Sequence, residues 1–112
     1  MSDQNYTDTS SLLKSIIKDF DRPGTESVIS IKELASLDEL KIYLAEKLAY
    51  LLEHKFERLV NTLYLIDIDE EKLSRLFSSG NREYIPLKLA EMIIDRQIQK
   101  LHYRKQYKRK LD

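Results

Sequence analysis

Cysteine does not occur in this 112-residue chain, nor does tryptophan, and glycine and proline appear only twice each. The lack of cysteine excludes a disulfide framework, a thiolate nucleophile and any zinc site built on sulfur. It also fits a reducing compartment, where stability has to come from apolar packing. The scarcity of glycine and proline argues against a sheet protein, because hairpins need turn residues at close intervals. Long apolar runs are missing too. Stretches such as Leu63 to Ile66 stop after a few residues, whereas a helix needs roughly 20 to span a bilayer. The first residues, MSDQNYTDTSS, are polar and acidic where a signal peptide is basic and then apolar. The expected location is therefore the cytoplasm, with no membrane partner.

What the chain does contain is apolar side chains at helical spacing among many charges. Hydrophobic residues make up 42% and charged ones 34%, which suits one globular domain. The formal net charge is zero, yet the charges are segregated. Residues 1–71 carry 15 acidic and 8 basic side chains and residues 72–112 carry 4 and 11, a swing from about −7 to about +7. Such a chain can pair its halves internally or present a basic surface to an acidic partner.

Residues 1–9 read as a disordered arm, and a first helix is expected from Ser10 or Ser11 to Phe20. Leu12, Leu13, Ile16, Ile17 and Phe20 share one face, and Pro23-Gly24 ends the run. Residues 25–35 are expected to be irregular or one short helical turn. Ser36-Leu37-Asp38-Glu39 has the capping-box pattern, with Ser36 and Glu39 each able to satisfy the other's backbone N–H. From there Leu37, Leu40, Leu44, Leu48, Leu52, Phe56, Leu59, Leu63 and Ile66 recur every three or four residues. The spacing predicts one spine helix over 36–66, with His54 marking a place where it can break. Asp69 caps a short third helix that ends at Gly80. Pro86 opens a final helix to about residue 108, followed by a basic tail at 109–112. The expected fold is all-α, a four-helix and mostly antiparallel bundle of two long and two short helices over residues 10–108.

Chemical sites are hard to find. Asp67, Asp69, Glu70 and Glu71 cluster as a calcium loop would require, but Lys72 and Ser78 stand where such a loop needs Gly and Glu. A helix N-cap explains the same acids. His54 lies between Glu53 and Glu57, but neither His54 nor His102 has Glu three residues before it, as a carboxylate-bridged di-metal bundle demands. No serine sits in the strained turn that nucleophilic catalysis uses. The expectation is thus no catalytic residue, no metal and no cofactor.

Two surfaces remain. Arg96, Lys100, Arg104 and Lys108 recur every four residues, thickened by Lys105 and Arg109, and no acid interrupts the sequence from Arg96 to Lys110. Tyr103 and Tyr107 lie one turn apart beside that stripe. Cations with interleaved aromatics can hold phosphates and stack bases, so a nucleic acid is one candidate partner. The same cations also complement the dipole at a helix C-terminus. Tyr43, Tyr50 and Tyr64 fall at intervals of seven and fourteen near the apolar stripe and form a candidate protein interface, for a partner or for a second copy.

In LVNTLYLIDIDEEKLSRLF (59–77) and LAEMIIDRQIQKLHYRKQY (89–107) the chain resembles a group of short, uncharacterised bacterial helical proteins. The shared features are an aromatic followed by Ile-Asp-x-x-Glu, then a helix with Ala-Glu-x-Ile-Ile-x-Arg. The resemblance implies no activity. It implies that Asp67, Glu70, Glu91 and Arg96 form a polar cluster between helices. The reading that follows from sequence is a non-enzymatic helical interaction module.

Overall fold

The computed structural model describes residues 9–21, 27–30 and 33–111, with side chains through residue 106. Residues 1–8 of the arm expected at 1–9, and part of the stretch 25–35, lie outside the described residues. Among the described residues five helices follow one another: α1 (Thr9–Phe20), α2 (Leu37–His54), α3 (Phe56–Ile66), α4 (Glu70–Ser78) and α5 (Ile85–Leu111). No strand occurs among the described residues.

The predicted N-caps form, with the reciprocal bond of the capping box shifted from the Ser36 N–H to that of Ala35. Ser36 Oγ accepts from the Glu39 N–H at 3.2 Å while the Glu39 carboxylate reaches back to the Ala35 N–H, so two donors at the start of α2 are satisfied together. Asp69 Oδ1 accepts from the Glu71 N–H at 2.9 Å and opens α4. Gly80, at φ +79, adopts the left-handed conformation just beyond α4. Pro86 occupies the first turn of α5, where its missing N–H has no intrahelical role.

The predicted spine is the main departure, and it makes the architecture five helices rather than four. The chain leaves the helical region at Lys55, with φ −142 and ψ 54. The buried positions explain why. Leu40, Leu44, Leu48 and Leu51 are buried in α2, and Leu59, Leu63 and Ile66 in α3. An unbroken helix would carry that seam through residue 55, four after Leu51 and four before Leu59. A lysine there would place its ammonium among leucines, at a large desolvation cost. The helix breaks instead, one residue past the His54 position, and Lys55 stays half-exposed. Phe56 shares a hollow with Pro86, and the Ile66 carbonyl accepts from Arg96, so α3 turns back along α5.

α2 and α5 form the principal contact of the molecule. They are antiparallel: Lys41 near the start of α2 pairs with Glu91, while Leu52 near its end lines one hollow with Pro86. α1 and α3 complete a core of leucines and isoleucines, twelve of whose largest side chains are essentially sealed from solvent. Each contributes about 1.5–3 kcal/mol by leaving water.

Two polar side chains are buried among the described residues: Thr62, whose hydroxyl donates to the Arg58 carbonyl within α3, and Gln97, which reaches between helices. Gln97 on α5 has 0% exposure. Ser15 Oγ donates to its Oε1 at 2.7 Å, and its Nε2 donates to Asp19, which also faces Lys100 Nζ at 3.7 Å. This chain of partners fixes how α1 lies on α5, since sliding either helix would leave a buried amide unpaired. Gln97→Ala is expected to lower stability by about 1–3 kcal/mol in chemical denaturation. An unchanged midpoint would show that the network contributes nothing.

Candidate protein-docking surface

The six cations of the C-terminal stripe do not act as one surface. Arg96 is turned into the fold: its Nε donates to the Ile66 carbonyl at 3.2 Å and its Nη2 faces Asp67 Oδ2 at 3.4 Å. It thereby neutralises the carbonyl end of α3, where the helix dipole concentrates negative charge. Asp67 itself has φ +67, a left-handed conformation uncommon outside glycine but tolerated by Asp. Lys100 is drawn to Asp19 on α1. Arg104 and Lys105 are exposed, as is Tyr103 at 76%. The backbone of α5 continues through Leu111, and the side chains of Tyr107, Lys108 and Arg109 lie outside those described.

The polar cluster implied by the bacterial resemblance divides in two. Asp67 pairs with Arg96, whereas Glu91 takes Lys41 at 3.2 Å and Lys88 at 3.5 Å; Glu70 is exposed on α4. The hydrogen bond from Lys41 holds the Glu91 carboxyl below its ordinary value, with the nearby charges of Lys41 and Lys88 adding to the effect and partial burial opposing it. Among the described residues no three His, Cys, Asp or Glu side chains converge as a metal site would require, and no helix is long and apolar enough to cross a membrane.

The three tyrosines also part company. Tyr43 belongs to the core at 8% exposure, and its hydroxyl donates to the Ser30 carbonyl at 3.1 Å and accepts from the Ser30 N–H at 3.2 Å. It therefore pins the irregular segment before α2, and is not part of an open interface. Tyr50 is half-exposed and its ring lies 4.8 Å from that of His54. Tyr64 stands 71% exposed.

Tyr64 belongs to a different surface, one that sequence periodicity hid. Because α3 is a separate helix, it has two apolar faces. Leu59, Leu63 and Ile66 face the core, while Phe56, Val60 and Tyr64 recur every four residues on the outside at 49%, 41% and 71% exposure. Across from them α4 offers Leu73 and Phe77. The two helices leave a groove of about 260 Å³ between them, floored by Leu63 and Ile68 and lined almost wholly by carbon. The Phe56 and Phe77 rings meet edge to face, 6.0 Å apart, and separate this groove from a wider hollow of about 680 Å³ beside Ala49, Leu52, Ile85 and Pro86. Leu65 adds a further exposed apolar side chain on α3. A continuous apolar strip of this kind marks an interaction site more often than a scatter of single residues does. The signal available in the sequence was the second four-residue repeat, 56–60–64, which merges into a broad stripe if one helix is assumed throughout.

Comparison of the chain with protein families, with characterised proteins and with solved structures finds no match.

Two outcomes separate structural from surface charge. Arg96→Ala is expected to cost about 1–3 kcal/mol by denaturation, since it strips charged hydrogen bonds from the end of α3. Arg104→Ala is expected to leave stability unchanged. For Glu91 the lowered carboxyl gives stability that is fully present above the unfolded value and is lost as pH falls through the folded one. Glu91→Gln is expected to show a shallower loss of stability than the native chain when titrated below about pH 4.5. Parallel acid curves would remove that contribution.

Proposed function

We propose that the protein is a non-enzymatic helical interaction module that docks a protein partner on the outer face of α3 and the facing side of α4. The observation that carries this reading is the Phe56–Val60–Tyr64 strip flanking an apolar groove. Helices that bind other helices present anchors at this kind of spacing into a hydrophobic trough. Glu57 and Glu70 border the strip, giving an apolar centre with a charged rim, the usual anatomy of a protein interface.

The alternative, nucleic-acid contact through the basic end of α5, has less support. Two of its six cations, Arg96 and Lys100, are engaged inside the fold, and a chain of zero net charge attracts a polyanion weakly at long range. A metal-dependent enzyme would need a convergent ligand set, and the described residues offer no observation in its favour.

Site-specific photo-crosslinking in cells tests the docking face. A photoreactive residue at position 64 is expected to yield protein adducts, and one at exposed Asp38, away from the groove, far fewer. Equal yields at both positions, or none at 64, would sink the proposal.

A further inference from the structure

The two cavities beside α3 and α4 are complementary to one another. The groove of about 260 Å³ and the hollow of about 680 Å³ meet at Phe56 and Phe77, which line both. From that pair Tyr64 stands about 12 Å along α3 and Glu70 about 10 Å back along α4, both on the groove side. The hollow lies on the other side, between Ala49 and Glu53 of α2 and the residues Gly80 and Arg82 beyond α4. One end of the face therefore bears a protruding aromatic, Tyr64 at 71% exposure, with an acid across from it. The opposite end is a recess with a cation on its α4 side and an acid on its α2 side. Glu70 and Arg82 are both exposed, and neither side chain has an ion-pair partner among the described residues.

Laying one such face on another, turned end over end, matches projection to recess and acid to cation. With a two-fold axis passing at the Phe56–Phe77 pair, Tyr64 of each copy enters the hollow of the other on its α2 side. There the tyrosine hydroxyl can donate to the Glu53 carboxylate. Glu70 of each copy meets Arg82 of the other. Every contact occurs twice, as a self-complementary patch requires. Phe56, Val60, Leu73 and Phe77 come together at the centre, and the charged pairs fall at the margin, the order of polarity found in protein interfaces. Laid the same way round, two copies would set hollow against hollow, so the end-over-end arrangement alone fills the recess. A foreign partner would have to supply the same aromatic and the same two charges at the same spacing. A second copy already carries them.

Resting on the docking face proposed above, we infer that its occupant is a second copy of this chain, joined face to face and end over end, with Tyr64 of each in the hollow of the other and Glu70 of each against Arg82 of the other.

The test is sedimentation equilibrium on the full chain, from micromolar to millimolar, at low and high salt. The native chain is expected to dimerise, more weakly at high salt. Tyr64→Ala should weaken the dimer about tenfold or more, because it removes the central projection. Glu70→Arg alone, or Arg82→Glu alone, sets like charges together in both contacts and should weaken it about as much. An equimolar mixture of those two variants has opposite charges at both contacts again and should associate nearly as well as the native chain. All three side chains are exposed, so circular dichroism should show native helicity in each variant. A chain monomeric throughout, a dimer indifferent to these substitutions, or no recovery on mixing overturns the inference. The crosslinking at position 64 separates this failure from that of the docking face. Adducts only to other proteins keep the face and exclude the second copy, whereas no adducts remove both.

Discussion

A lysine ammonium in an apolar seam is among the most costly arrangements a helix can present, and Lys55 stands where continuous α2–α3 packing would require one. Much of the surface character of the molecule depends on how the chain avoids that cost. By breaking at one residue it keeps the leucine face on both sides of the break and turns α3 back along α5. α3 then becomes a short element covered on one side only. Its outer residues, Phe56, Val60 and Tyr64, are only partly covered among the described residues.

Charge is used in two ways along α5. Up to Lys100, Glu91 and Arg96 tie α2 and α3 to the helix, and Gln97 and Lys100 tie α1 to it. Between them these contacts reach α1, α2 and α3, so α5 acts as the common post on which the others are hung. In its last turns, beyond the half-buried Leu101 and His102, the described side chains are exposed and the cations Arg104 and Lys105 have acquired no such task. The charge asymmetry between the two parts of the sequence is thus partly consumed within the molecule and partly left exposed at the end of α5.

The all-helical class, the ends of α1 and α4, and the caps at Ser36 and Asp69 were legible because each rests on local chemistry within a few residues. The break at Lys55 was visible only as a place where rupture was allowed. Periodicity measures the spacing of apolar residues and gives little weight to a single cation falling in their seam. By spacing alone Arg96 looked like surface charge for a related reason, and only the resemblance set it beside Asp67. Its partners, the Ile66 carbonyl and Asp67, are about thirty residues away, and sequence spacing cannot report an encounter between helices. Gln97 was missed because a glutamine between isoleucines reads as solvent-facing until Ser15 and Asp19 are seen to meet it. Tyr43 was assigned to an outer edge because its partner, Ser30, lies in a segment with no periodic pattern at all.

The slight attachment of α4 has a consequence for how the molecule moves. Nine residues long, this helix has only Leu76 fully buried, and it rests against α5 more than against α3. Its amide protons should therefore exchange with solvent through small local openings, well before those of α2 or α5, where the leucine core is deepest. One wall of the groove is compliant and the other, α3, is held by Leu59, Leu63 and Ile66. A trough with one soft side adjusts its width to the girth of what enters it, and whatever enters must supply the order that α4 lacks by itself.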